Sequence, residues 1–213
     1  MRILLALVAV AATTPNVTKL ILKPAQVGKG YVLLQRRDGV GVKNTVTLNL
    51  CGLSGYSSEH LRTTRLQVDY LKPGGMLGLS NEVVTYKPGG AAQAMREVLQ
   101  HTVHCPKGPV ATGQAGLPPL HFTITRIHDS NLLKGSIAVR VRVTGKVKGK
   151  PIDNTSYAVY QRLGNVLSGT YSFVPSTQSI IPDTPAQQRF VLHAAEQSAK
   201  NLLGGGAPGG PTA

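Results

Sequence analysis

The sequence predicts an α+β fold: an antiparallel β-sheet packed with helices, sandwich-like, in a single domain over residues 18–203. Three observations lead there. Several segments alternate apolar and polar residues with the two-residue period of a strand. The turns between the later ones are too short to hold a crossover helix, so neighbouring strands must run antiparallel. Two other segments change to helical spacing, one between strand segments and one near the C-terminus.

Taken in order, Leu20-Ile21-Leu22 opens the domain as a short apolar run broken by Pro24 and Gly28. Val46, Leu48 and Leu50 alternate with Thr47 and Asn49, which predicts a strand ending at Cys51. Leu66, Val68 and Tyr70 alternate with Arg65, Gln67 and Asp69, and Lys72-Pro73-Gly74-Gly75 then turns the chain. A strand over Val83 to Tyr86 follows. Lys87-Pro88-Gly89-Gly90 leads into Ala91, Ala94, Met95, Val98, Thr102 and Val103, whose spacing predicts a helix closing at Cys105. A Gly-rich loop before a helix can hold phosphate, but this one lacks the Walker spacing and its Lys-Ser/Thr ending, so it reads as punctuation.

Residues 106–119 are rich in Pro and Gly and predict a surface loop. Leu120, Phe122 and Ile124 alternate with His121, Thr123 and Thr125, and Asp129-Ser130-Asn131 marks a turn. Ile137, Val139, Val141 and Val143 alternate with Ala138, Arg140, Arg142 and Thr144. A strand over Tyr157 to Leu163 meets a tight Gly164-Asn165 turn into Leu167 to Phe173. The last element is a helix with Thr184 as N-cap, Pro185 at its first position and Gln187 three residues after the cap. Phe190, Val191, Ala194, Ser198 and Leu202 form its apolar stripe. Gly204 ends it, and a Gly/Pro tail over 204–213 is expected to be disordered.

The first residues carry an export pattern. Arg2 precedes an apolar stretch from Ile3 to Val10, and Ala9-Val10-Ala11 fits a small-x-small cleavage site. Residues 1–11 therefore read as a signal peptide. The lipoprotein cysteine is absent from the cleavage point, which favours free secretion over lipid anchoring. No apolar run reaches the roughly 18–20 residues that span a bilayer. In an exported chain the two cysteines, Cys51 and Cys105, read as one disulfide, whose closed loop is worth roughly 4 kcal/mol on the chain-entropy argument. The competing reading pairs His101, His104 and Cys105 as metal ligands; it lacks a fourth ligand, and no cofactor or metal is expected.

The charge balance is 23 Lys and Arg against 9 Asp and Glu, a net +14. Such a surface favours anionic partners: an acidic envelope polymer or lipid headgroups. Few aromatics, no Trp and no reader motif argue against nucleic acid. The most specific feature is the stretch from Lys134 to Lys150, in which Arg140, Arg142, Lys146 and Lys148 share parity with Lys150 and no acid intervenes. These four are the candidate ligand-binding residues, an exposed cationic stripe opposite the valines. The plainer reading is a solvated strand face kept charged against edge association.

Catalysis has little support. Gly52-Leu53-Ser54-Gly55-Tyr56 lacks the spacing of a nucleophile elbow and reads as a turn. The nine carboxylates are scattered, and the six histidines include no His-Glu-x-x-His. His60, His121, His128 and His193 read as surface or boundary residues.

The opening over Leu20 to Val27, Leu50-Cys51, and Ser80-Asn81-Glu82-Val83-Val84 leading to Gly89-Gly90-Ala91-Ala92-Gln93-Ala94 resemble uncharacterised exported proteins of actinobacteria. More distantly they resemble the extracellular sensor domain of a mycobacterial receptor Ser/Thr kinase. The resemblance covers most of residues 18–203 and implies a sensor-like domain with a cleft and no catalysis. That domain carries two disulfides where this chain has cysteines for one.

Two functional classes remain. The leading one is a non-catalytic extracytoplasmic binding or sensor module that captures an anionic envelope ligand on the basic strand face. The other is a secreted hydrolase with a non-standard site, which would need histidines with Ser or a carboxylate in one pocket.

Overall fold

In the computed structural model the described residues are 15–39, 50–51, 56–111, 117–174, 180–181 and 183–205. The expected signal peptide, the strand residues 46–49, the turn residues 52–55 and the tail beyond Gly205 lie outside them.

Alternation sorts each long strand into two faces, and the register assembles those faces into one sheet. The strands are β1 (Val32–Asp38), β2 (Arg62–Leu71), β3 (Gly78–Tyr86), β4 (His121–Ile127), β5 (Ile137–Val147), β6 (Lys150–Leu163), β7 (Val166–Phe173) and the two-residue β8 (Ile180–Ile181). Their order is β1-β2-β3-β7-β6-β5-β4, antiparallel throughout; β8 alone runs parallel, beside Asp153 and Asn154 of β6. The expected hairpins are present: β5 turns into β6 through Lys148 and Gly149, both at positive φ, and Leu163 pairs with Val166 across Gly164-Asn165.

Helices cover both faces. One face meets two single-turn helices, α1 (Val17–Leu20) and α2 (Pro24–Val27), and the long α4 (Pro185–Gly204). There Leu66, Val68, Leu79, Val83 and Val159 pack with Leu20, Leu22, Val191, Ala194 and Leu202. The Thr184 hydroxyl accepts from the Gln187 backbone N–H, capping α4 as its sequence predicts. Buried amides tie this layer together. Asn81 Nδ2 donates to the Gly169 carbonyl while its Oδ1 accepts from the Leu22 N–H, 2.9 Å in each case. Gln161 joins the Leu133 N–H to the Ala195 carbonyl. Each buried amide is thereby satisfied, as a low-dielectric interior demands.

Among the described residues the helices on the opposite face are α3 (Gly90–Val103) and the 3-10 helix Ser57–Leu61. Ala91, Ala94, Met95 and Val98 of α3 pack on Val84, Tyr86, Val139, Tyr160 and Leu167. Gly90 is required at that contact: a Cβ there would lie 2.8 Å from both Leu61 and Tyr86 Cβ atoms. Val103, expected on the apolar stripe of α3, is 67% exposed because the helix has by then run past the sheet. The helix ends at Val103, two residues short of Cys105.

Candidate functional site

α3 covers one half of its face. On the other half the strands present polar side chains to a cleft of about 340 Å³ walled by Leu50, Cys51, Phe122 and Val143. The Cys51–Cys105 disulfide is formed, with Cα atoms 5.7 Å apart, and it holds one wall of this cleft against the end of α3. Cys105 is thereby consumed, which removes the third ligand from the His101–His104–Cys105 alternative. Among the described residues no group of three His, Cys, Asp or Glu side chains converges as metal ligands do.

A polar ladder that register builds across β1, β2 and β3 reaches the cleft, where its Arg65, Gln67 and Glu82 form the floor. Arg37, Gln67, Asp69, Ser80 and Glu82 stand on adjacent strands through the pairs Arg37↔Gln67, Gln67↔Glu82 and Asp69↔Ser80. Arg65 Nη2 donates to Glu82 Oε2 at 2.8 Å and to Gln67 Oε1 at 3.1 Å. Gln67 Nε2 donates onward to the Ser80 hydroxyl at 2.9 Å and to Asp69 at 3.3 Å, and Asp69 accepts from Arg37 at 2.5 Å. The side chains of Arg65 and Glu82 are 6% and 2% exposed. An ion pair this dry is costly to bury and is seldom kept for stability alone.

Among the described residues Glu82 Oε1, the Tyr171 hydroxyl and, farther along the ladder, Arg37 Nε meet no partner at hydrogen-bonding geometry, and the Tyr160 hydroxyl lies close enough to that of Tyr171 to influence it. Glu82 Oε1 and the Tyr171 hydroxyl belong together in space. Glu82 pairs with Gly169 across β3 and β7, and the Tyr171 hydroxyl lies over Gly169, 1.8 Å from where a Cβ would stand. Only glycine at that position lets the ring lie there. Burial pushes the Glu82 carboxyl up to about 7, against the opposing pull of the Arg65 guanidinium. Burial also raises the Tyr171 hydroxyl well above its ordinary value.

The basic strand, expected as an exposed cationic stripe, carries carboxylate partners as well. Arg140 and Arg142 do point outward, but each holds a carboxylate. Arg142 makes a two-pronged pair with Asp153 on β6, at 2.6 and 2.7 Å, and Arg140 meets Asp183 before α4 at 2.7 Å. Asp153 is held below the usual carboxylate range by its hydrogen bonds from Arg142. Lys146 is exposed near the end of β5, and Lys148 is exposed in the turn rather than on the strand. The register explains the Arg142 pairing: β6 sets Asp153 against Thr144, diagonal to Arg142 on the same sheet.

The histidines do not gather at the cleft. His60, His104, His121, His128 and His193 are exposed, and His101 stacks edge-on against Tyr56 with its ring held below its usual value by burial. Sequence reasoning assigned Arg65, Gln67 and Asp69 to the polar side of a strand and passed over Glu82 and Tyr171. The one signal available was an acid, Glu82, within an otherwise uncharged run from Gly78 to Tyr86.

No protein-family profile matches the chain, and no curated protein matches its sequence. Among solved structures the chain is similar to the extracellular domain of PknH from Mycobacterium tuberculosis, with a TM-score of 0.51 and 10% identity over 86% of this chain and 94% of that one. It also aligns with a putative uncharacterized protein, an Rv0999 ortholog, from Mycobacterium smegmatis, with a TM-score of 0.42 and 9% identity over 89% of this chain and 100% of that one. No helix among the described residues is long and apolar enough to cross a membrane. The chain therefore shares, distantly, the α+β fold of an extracellular domain of a kinase.

Proposed function

We propose that this protein is a non-catalytic extracytoplasmic binding module, and that its ligand site is the cleft over β2, β3 and β7. The observation that carries this reading is the buried Arg65–Glu82 pair on the cleft floor, with Glu82 Oε1 left unpaired beside the Tyr171 hydroxyl. An unsatisfied buried carboxylate oxygen costs folding free energy, and a bound ligand is what would recover it. The export pattern read in the sequence of residues 1–11 and the fold shared with an extracellular kinase domain support the compartment.

The basic strand face competes for the same role. Arg140, Arg142, Lys146 and Lys148 would take an anionic polymer or headgroup, but an anion must displace Asp153 and Asp183 from the two arginines. The cleft needs no such exchange. A hydrolase reading has one observation in its favour, a carboxyl near 7 in a cleft. Against it, Arg65 holds the other oxygen of that carboxyl, and no histidine lines the cleft.

The test is a thermal-shift screen of small molecules fractionated from cell envelope, with each stabilising compound mapped by amide shift perturbation. The expected map centres on Gln67, Glu82, Gly169 and Tyr171. A map centred on Arg140, Arg142, Lys146 and Lys148 would move the site to the strand face and overturn the cleft assignment.

A further inference from the structure

Resting on the cleft reading, we infer that the ligand is an uncharged polyhydroxylated molecule, a sugar of one or two rings, bound through neighbouring hydroxyls to Glu82 Oε1 and the Tyr171 hydroxyl. Charge decides against the alternatives. Once Glu82 is ionised, above its raised value of about 7, Arg65 neutralises it, and beyond the cleft Arg37 neutralises Asp69, so the ladder then has no net charge to offer. An anion would sit beside a buried carboxylate oxygen, and a cation would leave one buried charge in excess; both are costly in a dry site.

Hydrogen-bond valence then narrows the class. Both donors of the Gln67 amide are used, on Asp69 and Ser80, and its oxygen already accepts from Arg65. The two open atoms are an acceptor when Glu82 is ionised and a hydroxyl that both donates and accepts. Adjacent sugar hydroxyls match that pair: one donates to Glu82 Oε1, and its neighbour accepts from the Tyr171 hydroxyl. The rest of the lining supplies the apolar half of such a site. Tyr160 and Tyr171 meet edge to face at 5.5 Å, and Phe122, Val141 and Val143 present C–H surface. The volume of about 340 Å³ lies at the compact end of small-molecule sites. Because the ladder is already hydrogen-bonded, binding freezes few side chains.

The experiment titrates the protein with neutral mono- and disaccharides of gluco, manno, galacto and arabino configuration, alongside glucosamine and glucuronate as matched cation and anion. Amide shifts report site and affinity. The inference expects at least one neutral saccharide to bind with a dissociation constant below about 10 mM, perturbing Gln67, Glu82, Gly169 and Tyr171. Tyr171→Phe should bind it at least tenfold more weakly, with a cooperative urea transition showing that the variant is folded. Glucosamine or glucuronate binding in the cleft more tightly than every neutral sugar would overturn the ligand class and leave the cleft as the site. Absence of any neutral-saccharide binding would also overturn the class. Perturbations elsewhere, with Tyr171→Phe binding unchanged, would overturn both the class and the cleft.

Discussion

Replacing Glu82 by Gln should change how stability depends on pH, in a direction the burial of this carboxyl fixes. Its side chain is 2% exposed, and burial raises it from an ordinary 4.5 to about 7 although Arg65 pulls the other way. Between those two values the folded protein holds a proton there that the unfolded chain has released. Stability contributed by this group is therefore full below about pH 4.5 and is lost as pH rises to about 7. At about 1.4 kcal/mol for each tenfold change, the loss comes to about 3 kcal/mol. Glu82→Gln cannot ionise, so the other titrating groups cancel when the two proteins are compared. Urea unfolding of both across this range should show the parent losing about 3 kcal/mol relative to the variant as pH rises. Parallel pH profiles, or a parent that gains on the variant as pH rises, would refute the claim that this carboxyl is dry and short of partners.

Other consequences can be measured separately. Gly169→Ala would set a Cβ 1.8 Å from the Tyr171 hydroxyl and 2.3 Å from its Cζ, so the ring must move. We expect a loss of about 1–3 kcal/mol in chemical denaturation, and an unchanged midpoint would contradict the packing described. Removing the disulfide with Cys51→Ser and Cys105→Ser frees a link across a sequence separation of 54 and should cost about 4 kcal/mol of unfolding free energy; a loss under about 1 kcal/mol would contradict it. Asp153→Asn should release Arg142 and raise the salt needed to elute the protein from an immobilised polyanion. The rise should exceed that of Asp129→Asn, which changes net charge equally; equal shifts would mean that pairing with Asp153 does not restrain Arg142.

How far the fold could be read in advance depended on whether a strand had one wet face. β2 and β5 alternate between core and exposed or polar positions, so Leu66, Val68 and Tyr70, and Ile137, Val139 and Val141, identified them. β3 is buried on both faces along its whole length and carries Ser80, Asn81 and Glu82 inside, so only its Val83–Tyr86 end looked like a strand. β1 failed for the opposite reason. It lies at the sheet edge, Val32, Leu33 and Leu34 are all at least half exposed, and no alternation remains to detect. The single turns α1 and α2 are held by packing against the sheet and α4 rather than by any periodicity of their own. The α4 cap was legible because capping is local: Thr184, Pro185 and Gln187 are enough.

The candidate site was hidden because it depends on register. Arg65 and Glu82 are 17 residues apart, and Glu82 and Tyr171 meet only because β7, paired with β6 along one edge, pairs with the sequence-distant β3 along the other. A polar residue on an alternating strand reads as solvent-facing until a second layer covers it. On β5, likewise, the carboxylates that meet Arg140 and Arg142 come from elsewhere in the chain, Asp183 and Asp153.

The most direct test of the cleft as binding site is a crystal structure of the protein with a ligand returned by the thermal-shift screen. The account predicts density in the cleft, within hydrogen-bonding distance of both Glu82 Oε1 and the Tyr171 hydroxyl, with the Arg65–Glu82 pair intact. Density at the Lys146–Lys148 end of β5, with Asp153 displaced from Arg142 and the cleft unchanged, would contradict it.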